Sequence, residues 1–261
     1  MRTTALLVMA VWAGLTILPG TAQEPALPSE APFEAGETLR YAVSWRSFPA
    51  GHAQLRLSRE DSPQQRWQVT AQAQSTGYVS NLYKVEDEFQ STFRNPSFCS
   101  AGIRKDIHEG DRHREVTIQF DAARQLALLE DRDKAADAPP KQERFPIPEC
   151  VQDILSALYY ARAQPLEIGQ SFEFPLNDGQ ETIRIRAEVQ ALEEVQTEIG
   201  SFQAFRVEPD VFSGNLFSGK GRLFVWFAAD AGRIPVQLRA QTGFGTIEAS
   251  LTAVERWDSA P

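Results

Sequence analysis

Apolar and polar residues alternate one for one along most of this chain, the period of a strand that turns one face to a core. Leu39, Tyr41, Val43 and Trp45 form the first such series. A turn is expected at Phe48-Pro49-Ala50-Gly51, and Ala53, Leu55 and Leu57 continue the pattern. Trp67, Val69, Ala71 and Ala73 make a third series. Tyr83, Val85, Asp87, Phe89, Ser91 and Phe93 make a fourth, which Asn95-Pro96 ends. Ile103 and Ile107 run into a turn at Glu109-Gly110-Asp111, and Val116, Ile118 and Phe120 run out of it. Residues 131–149 are charged, carry four prolines and read as a surface loop. The period then changes. Val151, Ile154, Leu155, Leu158 and Tyr159 recur at helical spacing until Pro165, which predicts one helix. Strands resume around Phe172, Phe174 and Leu176, and Asn177-Asp178-Gly179 is a strong hairpin signal. Residues 183–189, 202–207 and 247–251 supply the later strands. The segment GETLRYAV from Gly36 is echoed by GQSFEFPL from Gly169, with apolar residues at matched positions.

One segment breaks the alternation. Leu223 to Ala229 is apolar without interruption, whereas Ile234 to Gln241 alternates. A turn over Asp230 to Arg233 sets Ala229 opposite Ile234, Phe227 opposite Val236, Val225 opposite Leu238 and Leu223 opposite Ala240. The other face then pairs Phe224 with Arg239 and Trp226 with Gln237. Aromatic rings beside long polar stems suit neither a solid core nor open water. This face is expected either to lie under the predicted helix or to line a groove for a ligand. The candidate ligand-binding residues are therefore Phe224, Trp226, Gln237 and Arg239.

Composition adds a compartment. Arg2 is the only charge before Glu24, residues 5–18 are almost wholly apolar, and Gly20-Thr21-Ala22 offers small residues for cleavage. Residues 1–22 are read as a signal peptide cut after Ala22, and residues 23–35 as a disordered lead-in to a single β-rich domain over 36–257. The expected location is the periplasm. No later stretch is apolar enough to span a bilayer. The chain carries 35 acidic and 26 basic residues, net −9. That balance gives no electrostatic reason to bind nucleic acid or anionic lipid. Cys99 and Cys150, the two cysteines of the chain, are expected to pair in an oxidising compartment.

Candidate chemistry is sparse. No Gly-x-Ser-x-Gly elbow is present. GNLFSGKG, from Gly214 to Gly221, has the glycines and lysine of a phosphate loop. It lacks the hydroxyl residue after Lys220 and runs into a strand rather than a helix, so it is read as a mobile loop and candidate gate. His108 and His113 flank a turn near Asp106, Glu109 and Asp111, a pattern that can bind zinc. A solvated hairpin tip is the preferred reading, and no metal or cofactor is expected. His52 stands alone. Asp87, inside a half-apolar strand, is the carboxylate singled out for a shifted pKa.

Several segments occur in a telling order: GETLRYAVSW with AGHAQL, DILSALYYARAQPLEIGQSFEFPLNDG, IGSFQAFRVEP, LFVWFAADAGRIPVQL and GTIEASL. In this order the chain resembles the bacterial envelope family known as domain of unknown function 3108. The resemblance implies an exported β-rich domain and carries over no catalytic residues. The fold class expected is all-β and mostly antiparallel, a large curved sheet or partial barrel with one packed α-helix. The functional expectation is a non-enzymatic envelope protein that binds an apolar or amphipathic small molecule. Two alternatives stand beside it: a periplasmic hydrolase with paired carboxylates acting on a cell-wall or sugar substrate, and a structural or docking module.

Overall fold

The computed structural model describes residues 31–60, 66–136, 138–179, 181–212 and 221–256. The alternating segments become strands β1 (Glu37–Trp45), β2 (Phe48–Arg59), β3 (Trp67–Ser75), β4 (Glu86–Phe93), β5 (Ser100–Glu109), β6 (Arg112–Asp121), β7 (Leu126–Asp133) and β8 (Lys141–Pro146). After the main helix come β9 (Ser171–Asn177), β10 (Thr182–Thr197), β11 (Gly200–Pro209), β12 (Arg222–Ala228), β13 (Pro235–Thr242) and β14 (Gly245–Arg256). The helices are α1 (Gly77–Leu82) and α2 (Ile154–Ala163).

All fourteen strands among the described residues join one antiparallel sheet in the order β8-β7-β6-β5-β4-β3-β2-β1-β14-β13-β12-β11-β10-β9. From β1 in the middle, the chain meanders to the β8 edge, crosses by α2 to the β9 edge, and returns until β14 pairs with β1. Short connections between sequential antiparallel neighbours favour such a meander.

The two ends of the sheet curl towards each other around α2. Gln152 N–H donates to the Pro175 carbonyl at 2.8 Å, and Asn177 N–H donates to the Gln152 carbonyl at 2.9 Å. On the other side of the same extended segment, Ser100 N–H donates to the Val151 carbonyl at 2.9 Å. Val151 and Gln152 therefore join β9 to the start of β5 and occupy backbone groups that an edge strand would leave open. The Cys99–Cys150 disulfide lies at the same junction. At the β9–β10 turn, Lys105 forms an ion pair with Asp178, and the Gly179 backbone lies against the Ile118 and Leu129 side chains. The result is the expected curved sheet, a partial barrel with a helix inside.

α2 starts at Asp153, whose Oδ1 accepts the N–H groups of Leu155 and Ser156, while the Ser156 hydroxyl accepts the Asp153 N–H. This capping box satisfies groups that the first turn cannot pair internally. Asp153 Oδ2 also accepts the hydroxyls of Ser91 and Ser100, at 2.6 and 2.5 Å, which fixes the helix start to β4 and β5. Beyond the cap, α2 is buried on nearly all sides, Arg162 included.

Several local expectations are corrected. The β1–β2 turn is at Arg46-Ser47, both with positive φ, and Phe48 to Gly51 already belong to β2. Residues 131–149 hold the end of β7 and all of β8, because the prolines fall before that strand, at its last residue and after it, and β8 lies at the edge of the sheet, where proline is tolerated. Tyr83 caps the short helix α1 instead of opening β4. The interior also begins before Gly36. Phe33 is buried in edge-on contact with Trp67, Phe98 and Tyr159, so the far end of the predicted lead-in is part of the core.

Candidate functional site

Between α2 and the concave face of the sheet lies a cavity of about 260 Å³. Its floor is the contiguous run of strands from β2 through β1 and β14 to β9, and its roof is the stripe Ile154, Ala157, Leu158 and Ala161 on α2. Those helix positions share one face by their three- and four-residue spacing. The volume is left by small side chains at inward positions. Ala53, Ala187 and Ala249 on the strands face Ala157 and Ala161 on the helix. Tyr41 brings the only side-chain polar atom among the described lining residues, and its hydroxyl already donates to the Pro235 carbonyl at 2.7 Å. Burial pushes the Tyr41 phenol well above its ordinary pKa, so the wall stays uncharged. No carboxylate or imidazole is among the described residues that line it.

The β12–β13 hairpin forms part of this wall with the face opposite to the one singled out in the sequence. The predicted pairs Leu223–Ala240, Phe224–Arg239, Val225–Leu238 and Trp226–Gln237 are all present. A bulge after Trp226 sets Phe227 against Pro235 rather than Val236. Leu223, Val225, Phe227 and Leu238 face the cavity, whereas Phe224, Trp226, Gln237 and Arg239 do not line it. Phe224 and Trp226 are nevertheless buried, as is Gln237. Arg222 lies over the Phe224 ring at 4.6 Å, and Arg239 over the Trp226 ring at 5.0 Å. The Trp226 indole N–H donates to Glu193, Arg239 pairs with Glu248, and Arg222 pairs with Glu208. The outer face is thus closed by guanidinium groups stacked on rings and held by carboxylates. β12 is apolar without a break because each of its faces is covered by a different means.

The other candidates fall elsewhere. Cys99 and Cys150 are joined by a disulfide, as expected. The Asp87 carboxyl is pushed above its usual range by burial, although it accepts the His108 N–H at 2.9 Å. It lies outside the cavity lining. His52 is exposed on β2. Asp106, His108 and His113 come together at the β5–β6 turn. Residues 214–220 of the phosphate-loop-like stretch lie outside the described residues. No described helix is long and apolar enough to cross a membrane.

The wall residues were present in the sequence as the apolar faces of the hairpin and the helix. The stand-off between them was not, and its signal is the set of inward-facing alanines.

The family described as "Protein of unknown function (DUF3108)" has a sequence profile that matches residues 40–252, and the chain belongs to that family. No curated protein matches it. Among solved structures, a beta-barrel-like protein of domain of unknown function DUF1849 from Brucella abortus is similar in fold. It is 6% identical, with TM-score 0.56 over 85% of this chain and 98% of that one. A putative exported protein with a YmcC-like fold from Bacteroides fragilis is 10% identical, with TM-score 0.39 over 86% of this chain and 98% of that one. The hypothetical protein CT021 from Chlamydia trachomatis is 8% identical, with TM-score 0.37 over 87% and 90%.

Proposed function

We propose that this DUF3108 protein is exported to the periplasm and holds an apolar or amphipathic molecule, with the apolar part in the cavity beneath α2. The observation that carries the reading is a concave wall, apolar throughout, with its single hydroxyl already engaged. Water gains few hydrogen bonds there, whereas hydrocarbon gains contact on every side. An engineered apolar cavity of about 150 Å³ takes up benzene, so 260 Å³ suits a short alkyl chain or a small fused ring. Phe224, Trp226, Gln237 and Arg239 then serve as the outer brace of the wall rather than as ligand contacts. The disulfide supports an oxidising compartment. The hydrolase alternative finds no pair of carboxylates among the described residues that line this cavity.

The test is displacement of an apolar dye such as N-phenylnaphthylamine by medium-chain fatty acids. Saturable dye uptake is expected, together with its loss in Ala249→Phe and Ala157→Leu, which fill the void from opposite sides. Both variants should keep the far-UV spectrum of the parent and melt at least as high. Dye binding unchanged in both filled variants would place the ligand elsewhere and overturn the reading.

A further inference from the structure

We propose that Asp106, His108 and His113 form a binding site for one divalent zinc-class metal ion on the outer face of the β5–β6 hairpin. The inference is independent of the cavity. It revises the expectation of a solvated hairpin tip.

The register makes the site. His108 and His113 are directly opposite each other across the two strands, and Asp106 lies two residues before His108 on the same face. Cross-strand partners hold their Cβ atoms only about 5 Å apart. Here the two rings face each other with centroids at 3.6 Å. Both Nε2 atoms point at one oxygen, Asp106 Oδ1, at 3.2 Å from His108 and 3.1 Å from His113. All three ligand atoms lie within 4.8 Å of one another. A tetrahedral zinc ion with ligands at about 2.0–2.1 Å has ligand-to-ligand edges of about 3.3 Å. The observed nitrogen-to-oxygen separations are therefore close to those of a filled site.

The tip is also held in place. Gly110 N–H donates to the Lys84 carbonyl at 2.7 Å, and His108 N–H donates to Asp87. Val85 bridges to Glu109, and the Tyr83 hydroxyl bonds the Glu109 carboxylate. The chain after α1 thus clamps the hairpin beside the three side chains, so little ordering is left for an ion to impose. The three side chains are 40%, 41% and 37% exposed, which leaves room for a water or a fourth ligand in the open position. Two imidazoles and one carboxylate are a borderline donor set, suited to zinc and its late first-row neighbours rather than to calcium or magnesium. Lys134 and Arg104 are engaged with Glu115 on the next pair along, so neither cation occupies the site.

Without an ion, the same geometry could serve only as two N–H donors sharing one carboxylate oxygen, and the experiment separates the two cases. Full-length mature protein stripped with a chelator is titrated with Zn²⁺ against a chromophoric zinc indicator. One equivalent per chain is expected, with affinity lowered by at least about tenfold in each of Asp106→Asn, His108→Gln and His113→Gln. Imidazole nitrogen spectra supply a second readout. On adding zinc, the Nε2 resonances of His108 and His113 should move to metal-bound values while His52, on β2, stays put as an internal control. Absence of saturable zinc uptake, or uptake equally strong in the three variants, would overturn the proposal. So would a spectrum in which all three histidines move together.

Discussion

Arg162 carries its charge at zero exposure, and the groups around it decide whether that charge stabilises the fold. Its two terminal nitrogens reach the two carboxylate oxygens of Glu37 at 2.6 and 3.0 Å, and one also donates to the Gly232 carbonyl at 2.8 Å. Phe33 and Tyr159 lie against the guanidinium plane at 5.1 and 5.2 Å. Burial disfavours the charged guanidinium, but the paired Glu37 carboxylate more than offsets it, and the pKa of Arg162 ends above its ordinary value. This pair ties α2 to β1 and, through Gly232, to the β12–β13 turn. The two charges have given up most of their hydration, so a survivor left without its partner costs more than the pair contributes. Glu37→Gln should therefore lower the stability by about 3–5 kcal/mol in urea unfolding. The double replacement Glu37→Leu with Arg162→Met should lose much less than the single one. A single variant as stable as the parent would mean that water reaches the pair.

At the scale of the element, α2 is held at its start by a carboxylate that burial works against. Asp153 is fully enclosed, and desolvation pushes its pKa up despite the hydrogen bonds from Ser100, Ser91, Ser156 and Leu155 that favour the anion. A raised folded-state value means that the folded protein binds the proton more tightly than the unfolded chain, whose carboxyl titrates near about 3.9. Asp153 therefore favours folding most fully below that pH, and the advantage is lost as pH rises through the folded value. Asp153→Asn keeps an oxygen for the helix N–H groups, and the two serine hydroxyls can turn to accept from its amide. The stability of this variant relative to the parent should rise as pH climbs above about 4 and level off once the folded value is passed, read in urea midpoints. A constant difference, or a fall, would show the anion to be favoured. The alternation of the chain made most strands legible, since Leu39 to Tyr41 and Arg184 to Val189 alternate buried and exposed positions. The register of the hairpin was legible up to Trp226. What escaped was set by tertiary contacts. Whether a continuous apolar strand turns its rings to a cavity or to stacked arginines depends on neighbours such as Arg206 and Glu193 on other strands. The bulge after Trp226 and the early turn at Arg46-Ser47 depend on backbone angles that alternation does not encode. The echo between Gly36 and Gly169 has a structural counterpart. Each glycine takes positive φ, at 89° and 84°, and donates its N–H to the partner strand, at Leu57 and Val189 respectively. β1 and β9 therefore begin in the same way, at the middle and at the edge of one sheet.

For the whole molecule, the question is what keeps an open sheet of this size curled around a helix and a void. Strand pairing closes the middle, where β14 meets β1, but β8 and β9 are not paired with each other. Closure falls to the segment before α2, with its backbone bonds to β9 and β5, and to the Cys99–Cys150 bond beside it. The Lys105–Asp178 pair and the packing of Gly179 on Ile118 and Leu129 add a second fastening along the seam. The disulfide spans a sequence separation of 51 residues, so in the chain-entropy account it restrains the unfolded chain by about 4 kcal/mol. Replacing both cysteines by alanine should lower the unfolding free energy by roughly that amount. It should also weaken uptake of the apolar dye more than it changes the far-UV spectrum, because the roof of the cavity hangs from the same junction while the strands do not. Glu37→Gln, which loosens α2 from the opposite end, provides the comparison. If the cysteine variant loses stability but binds dye as the parent does, the backbone bonds of Val151 and Gln152 suffice to hold the roof. If dye binding fails in both variants while the sheet persists, the curl of the sheet and the shape of the cavity are one property, fixed by how α2 is anchored at its two ends.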